Sequence, residues 1–254
     1  MSSLPNYERA NYRMAQRARL AAGFAQQVEL TVTPFLDTDF SSCRVADIGC
    51  GYGHGLVALA RRCRSAVGLE PNAVLASESR QRCREAALNN VEVRDQVAGD
   101  LDEDGGFDVV VLDNVLEHID DQRKALRRIG KALRVGGVAY ILVPNKLWPF
   151  EAHYGLPFLA YLPLPLANRY LRVTGRGSDY TDASYAPSYR TLRRLLAERG
   201  ELDGQFTLPA DVTLAEGGAR WSYKVGFRLL ERFPALWAVS KAFLVVATKT
   251  APTP

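Results

Sequence analysis

Three stretches of the chain carry side chains whose types and spacing can do chemistry. In Ala46-Asp47-Ile48-Gly49-Cys50-Gly51-Tyr52-Gly53-His54-Gly55, four glycines follow an apolar run, so a ligand can come very close to the backbone. A dinucleotide fingerprint needs G-x-G-x-x-G directly after the strand; Gly49 to Gly53 read G-x-G-x-G, and His54 stands where the third glycine belongs. A shifted reading, Gly53-His54-Gly55 with Ala58, begins several residues past the strand and leaves Gly49 and Gly51 without a reason. The loop therefore reads as room for a ligand other than a pyrophosphate. Glu70 ends the next strand, where a carboxylate can accept two hydrogen bonds from a ribose diol.

The second stretch is Asn114-Val115-Leu116-Glu117-His118, at the end of a strand, and the third is Trp148-Pro149-Phe150-Glu151-Ala152-His153-Tyr154-Gly155. His153 can accept a hydroxyl proton near neutral pH, with Glu151 to orient it, Tyr154 to donate to a substrate, and Trp148 and Phe150 to exclude water. Tyr180 and Tyr185 extend the same wall. A histidine satisfied inside a loop is an equally open role for His153. Cys50 reads as a small filler of the loop rather than a nucleophile.

The elements that must position these groups follow from hydrophobic periodicity. One or two helices are predicted over 7–35. Strands 43–48, 66–70, 91–97, 107–113 and 138–143 alternate with helices 55–63, 73–88 and 121–133, the last stopped by Gly136-Gly137. A helix over 188–200, a short strand near 205–208 and a final strand 242–248 complete the chain. This alternation demands a mostly parallel, doubly wound sheet with helices on both faces, which places ligands at the C-terminal ends of the strands.

A chain of 254 residues, 47% hydrophobic and 24% charged, can bury a full core and reads as one domain over 1–254. Residues 1–40 would form an N-terminal helical lid, 41–144 a cofactor-binding core, and 145–187 and 210–240 cap insertions. The N-terminus is polar and basic with no continuous apolar core, so a cytoplasmic location is expected. Four cysteines without C-x-x-C pairing are expected as reduced thiols. A net charge of +4 with no basic stripe of interleaved aromatics points away from nucleic acid. The proline-rich run 155–171 is too interrupted to span a bilayer; a greasy lid, a peripheral membrane contact and plain core packing are all open to it.

VADIGCGYG, GLEPN, VAGDLDEDGGFDVVVLDNVLEHIDD and LRVGGVAYILVPN, in that order over residues 43–145, strongly resemble the class I S-adenosylmethionine-dependent methyltransferases. The resemblance implies a Rossmann-like seven-stranded sheet with the last strand antiparallel and a cap inserted after the fifth strand. It implies that Asp47, Gly49, Cys50, Gly51, Tyr52 and Gly53 line the methionine part of the cofactor and that Glu70, beside Pro71, holds the ribose. Asp100 with Leu101 would meet the adenine, Asn114 with Val115 would lie under the sulfonium, His118 would join the cofactor-binding residues, and Tyr7, Tyr12 and Arg13 would close over the carboxylate. The NVLEH stretch is also similar to the Glu-x-x-Glu-His element of metal-dependent O-methyltransferases, but Asn114 stands at its first glutamate and depletes the oxygen set that magnesium prefers. His153 with Glu117 and His118 would make a softer site for a transition metal; many class I relatives carry LEH or LHH here without any metal, and none is expected. The resulting expectation is O-methylation of a small-molecule acceptor (natural product, sugar or lipid-linked glycan), with His153, Glu151 and His118 as the catalytic groups. N-methylation of a small amine and a non-catalytic cofactor-binding module are the alternatives.

Overall fold

The computed structural model describes residues 10–198, 202–214 and 221–250. Seven strands form one sheet in the order β3-β2-β1-β4-β5-β7-β6. They are β1 (Arg44–Ile48), β2 (Ser65–Leu69), β3 (Val91–Arg94), β4 (Phe107–Asp113), β5 (Leu133–Pro144), β6 (Leu202–Thr207) and β7 (Ala242–Lys249). The first five run parallel, and β7 lies antiparallel between β5 and β6. The helices are α1 (Ala10–Val32), α2 (His54–Ala60), α3 (Ala73–Glu85), α4 (Gln122–Ala132), α5 (Leu164–Val173), α6 (Tyr189–Ala197) and α7 (Trp221–Arg232). None of them is long and apolar enough to cross a membrane.

The continuous apolar runs of β4 and β5 are explained by burial on both faces. Along β4, Val110 and Leu112 join one cluster with Leu126, Ile129 and Leu192, while Val109 and Val111 join another with Val28, Leu56 and Leu59. The period of two thus divides one strand between a core under α4 and α6 and a core under α1 and α2.

Asn72 caps α3 by accepting from the Val74 and Leu75 N–H groups at 3.0 and 3.3 Å, and Asp121 caps α4 by accepting from the Lys124 N–H at 2.9 Å. The end of α4 differs from expectation. The helix stops at Ala132 and β5 begins at once, so Gly136 and Gly137 lie inside the strand. There the β4–β5 register slips between Phe107 and Val109, Gly136 takes φ +78°, and a Cβ on Gly137 would sit 3.0 Å from three backbone carbonyls. The glycines serve a bulge rather than a cap. The carbonyls at the helix end are met by the buried Lys249, whose Nζ donates to Leu133 O at 2.7 Å and Lys131 O at 3.4 Å. β3 ends at Arg94, short of Val97, and β6 begins three residues before the predicted strand.

Between β5 and α6 the chain builds a cap with its own small core of Leu156, Leu159, Ala167, Leu171, Tyr180 and Ala183. Its root is Asn145, 4% exposed, which donates to Ala238 O and Ser240 O at 3.1 and 2.8 Å and accepts from the Leu147 N–H at 2.9 Å. The run 155–171 therefore contributes four of those core residues and leaves Phe158, Tyr161, Leu164 and Leu166 at the surface.

Candidate functional site

β1 pairs with β2 on one side and β4 on the other, so the strand order reverses at β1, the switch point where sheets of this kind bind ligands in a crevice above the C-terminal ends of their strands. The glycine loop forms one wall. Gly49, Gly51 and Gly53 have φ of +68°, +54° and +78°, a region that costs other residues strain. Space is equally restrictive: a Cβ on Gly49 would lie 2.7 Å from Val115 Cγ2, and one on Gly53 would collide with Ser79. Glu70, 7% exposed, holds the loop to β2, its Oε2 accepting from the Gly51 N–H and its Oε1 from the Asn72 N–H, both at 2.9 Å. A carboxylate offers about four acceptor positions, so about two remain for a ligand's hydroxyls. Tyr52 is pinned through its carbonyl by Arg82 Nη1 at 2.5 Å. Burial drives the Cys50 thiol far above its usual range, with Asp47 adding to the effect.

Asp100 sits on the short turn after β3, 62% exposed and paired with Lys124 Nζ at 2.9 Å, above the fully buried Leu101. Tyr7 lies outside the described residues, as do the side chains of Tyr12 and Arg13.

The other wall begins where β4 ends. Asn114 takes φ +55° and donates to Asp113 Oδ1 at 2.7 Å; Val115 packs on Gly49, and the turn Leu116–His118 follows. Gln122 fastens this turn to the cap, its Nε2 donating to Leu116 O at 2.8 Å and Tyr185 O at 2.7 Å. In the cap, Phe150 and Pro157 pair as an isolated bridge, and Gly155 turns the chain at φ +64°. The loop between them wraps the buried Glu151 carboxylate. Glu151 accepts from the His153 N–H at 2.8 Å, from the Tyr154 N–H at 2.6 Å and from His153 Nδ1 at 2.9 Å.

These elements bring His153, His118 and Glu117 together. Glu117 is fully buried, and neither carboxylate oxygen has a hydrogen-bond partner. His153 Nε2 lies 3.7 Å and His118 Nε2 3.9 Å from Glu117 Oε1, and the imidazoles meet edge to face with centroids 4.9 Å apart. His118 Nδ1 is 2.8 Å from Asp182 O; a carbonyl only accepts, so Nδ1 carries the proton and Nε2 faces Glu117. The same logic at Glu151 puts the His153 proton on Nδ1. Burial pushes the Glu117 carboxyl above the usual carboxylate range. For His118, burial acts to lower the imidazole's pKa, but the Asp182 hydrogen bond and the Glu117 charge outweigh it and raise the group overall.

Not every expected wall residue joins this cluster. Tyr180 is buried in the cap core, and Tyr154 donates its hydroxyl to Asp179 O at 3.0 Å. Phe150 and Tyr185 are exposed and Trp148 half-buried. Asp182, which fixes the His118 tautomer, has no sequence signal, since it lies 64 residues away in an ordinary turn.

A family model for a methyltransferase domain matches residues 15–200. A ubiquinone biosynthesis O-methyltransferase of Nitrobacter winogradskyi is 27% identical over 180 residues, covering 70% of this chain and 63% of that protein. An uncharacterized Mycobacterium tuberculosis protein is 39% identical over 51 residues, 20% of this chain and 17% of its own length. The chain thus spans less than two thirds of these curated relatives. Among solved structures, the plantazolicin methyltransferase BpumL in complex with SAH superposes with a TM-score of 0.61 over 95% of this chain and 88% of that one, at 12% identity. That likeness is one of fold.

Proposed function

The chain belongs to the methyltransferase-domain family of S-adenosylmethionine-dependent class I enzymes, and from that premise we propose that it methylates an oxygen of a small-molecule acceptor. Two observations support a fit of the crevice to the methyl donor: three left-handed glycines bring the loop backbone to the end of β1 without side chains, with Gly49 and Gly53 packed too closely on Val115 and Ser79 to accept a Cβ, and the Glu70 carboxylate keeps acceptor capacity at the end of β2. Gly49, Gly51 and Gly53 would admit its aminocarboxypropyl chain, Glu70 its ribose, and Asp100 with Leu101 its adenine. Bound there, S-adenosylmethionine supplies a methyl group on a sulfonium, whose in-line transfer needs placement rather than an enzyme nucleophile. The buried Cys50 thiol has no part to play.

What the protein must supply is an acceptor oxygen stripped of its proton. The observation that carries this reading is the Glu151–His153 pair: with Nδ1 protonated against Glu151 at 2.9 Å, the basic atom of His153 is Nε2, directed to Glu117. Glu117 lies two residues from Val115, which touches the glycine loop, so the proton-accepting groups border the donor crevice. A neutral amine would need no such device. A relative named for O-methylation supports the same reading.

The test is transfer from a trideuteromethyl donor to matched panels of hydroxylated and amino compounds, read by mass. O-methyl products are expected, and His153→Ala should keep SAH affinity within about threefold while losing about 100-fold or more in turnover. Products on nitrogen alone, or near-normal turnover in that variant, would overturn the assignment.

A further inference from the structure

We propose that Glu117, His118 and His153 bind one divalent first-row transition-metal ion of the zinc or cobalt type. The argument starts from an electrostatic inconsistency. Glu117 is fully buried with both oxygens lacking any hydrogen bond, and an ionised carboxylate in such a place is costly unless something positive compensates it. What faces it instead is the Nε2 atom of each of two imidazoles whose protons are held on Nδ1 by Asp182 O and Glu151 Oε1. Protonating either imidazole at Nε2 would supply a charge, but at 3.7 and 3.9 Å the contacts are beyond hydrogen-bond reach.

An ion of small radius resolves this. One ligand atom from each residue lies within 4.8 Å of the others. Metal–nitrogen and metal–oxygen bonds of about 2.1 Å in a tetrahedron put ligand atoms about 3.4 Å apart, a few tenths of an ångström inside the 3.7 and 3.9 Å observed. Two imidazoles and one carboxylate suit zinc, cobalt, iron or manganese and disfavour magnesium and calcium, which take oxygen sets. The outer contacts have the form such sites require: each histidine donates Nδ1–H to an oxygen acceptor that fixes its tautomer and raises its basicity. Three protein ligands leave a coordination position open, as in catalytic rather than structural sites. Resting on the O-methylation reading, that position takes the acceptor's oxygen, and a bound ion there favours the alkoxide or phenoxide over the hydroxyl. With an ion bound, His153 Nε2 would hold the metal instead of accepting the proton directly, and the acceptor's proton would leave to solvent. The sequence alone pointed to no metal; the orphaned carboxylate is what changes the conclusion.

The test uses the full chain, purified without a histidine tag and stripped with chelator. Co2+ titration is expected to give visible ligand-field bands saturating at one ion per chain, lost on adding Zn2+. Glu117→Gln and His153→Ala should each weaken Co2+ binding by about 100-fold or more, and Glu151→Gln, which among the three ligands bonds to His153 alone, by about 10- to 100-fold. SAH affinity of the same samples reports that the fold is intact. Should these variants fail to fold, X-ray absorption of the zinc-loaded wild type decides, with two imidazole nitrogens and a carboxylate oxygen expected. No stoichiometric binding, binding unchanged in Glu117→Gln, or an absorption spectrum without imidazoles overturns the proposal. Binding is read without acceptor, so O-methyl transfer by a chain that binds no metal sinks this inference alone, and metal binding without O-methyl products sinks only the acceptor reading.

Discussion

Gly49→Ala is the sharpest probe of the donor crevice, because two separable costs fall on one atom. The residue sits at φ +68°, and the added Cβ would meet Val115 Cγ2 at 2.7 Å and Cγ1 at 3.1 Å. A left-handed backbone costs a residue with a Cβ about 1–2 kcal/mol. Forcing a methyl group against packed atoms costs about 1–3 kcal/mol more. The loop relieves both by leaving its binding geometry, so the least sum of about 2 kcal/mol appears as a loss of about 30-fold in SAH affinity. Val115→Ala removes both offending methyls but cannot change φ. The double variant should therefore recover the steric share and retain a deficit of about 5- to 30-fold. Isothermal titration of wild type, both single variants and the double variant closes the cycle. If Gly49→Ala binds SAH within threefold of wild type, or if Val115→Ala gives no recovery, the tight contact between the glycine loop and the turn after β4 is not what shapes the crevice.

Two further outcomes test the framework. Glu103 accepts from Arg44 Nη1 at 2.9 Å and Arg94 Nη1 at 2.8 Å, and these bonds hold its carboxyl below the usual 4.5. A depressed carboxyl stabilises the fold above its unfolded pKa and loses that contribution as pH falls through the folded value. Glu103→Gln should therefore cost about 1 kcal/mol at neutral pH, with the deficit shrinking as pH drops below 4.5; denaturant melts showing a constant deficit down to about pH 3 would contradict it. Asn145→Ala strips the cap root of three hydrogen bonds. The expected loss is about 2–4 kcal/mol, or roughly 5–15 °C in Tm by calorimetry, and an unchanged Tm would mean the root is not held there.

The sheet was legible because its signals are local. The alternating fate of Val109, Val110, Val111 and Leu112 follows from strand period alone, and the glycine loop announced itself because glycine adopts three closely spaced positive φ values at least cost. Gly136-Gly137 misled for the opposite reason. A glycine pair after a helical run looks the same whether it caps the helix or admits a bulge, and only the register with β4 decides. The acceptor side was half legible. Glu151, His153 and His118 could be singled out by residue type, but which atoms they offer depends on Asp182, 64 residues from the histidine it orients. Tyr154 and Tyr180 carried the signature of a pocket wall, yet their positions are settled by packing within the cap.

The turn 115–118 joins both halves of the candidate site, and that continuity couples them. Val115 touches the donor loop at Gly49, while Leu116, Glu117 and His118 are each bonded to the cap or to the residue that fastens it: Leu116 O to Gln122, Glu117 O to the Tyr185 N–H, and His118 to Asp182. No flexible linker separates the two functions; the backbone that seats Glu117 and His118 is continuous with the backbone packed on the glycines. A cap displaced at Tyr185 or Asp182 must therefore pull on the same turn that shapes the donor crevice. Occupancy of one side should then be felt as affinity on the other, in equal measure in both directions. His153 reaches the cluster only from the cap, so a chain with the cap undone could still hold its methyl donor while lacking the group proposed to act on the acceptor.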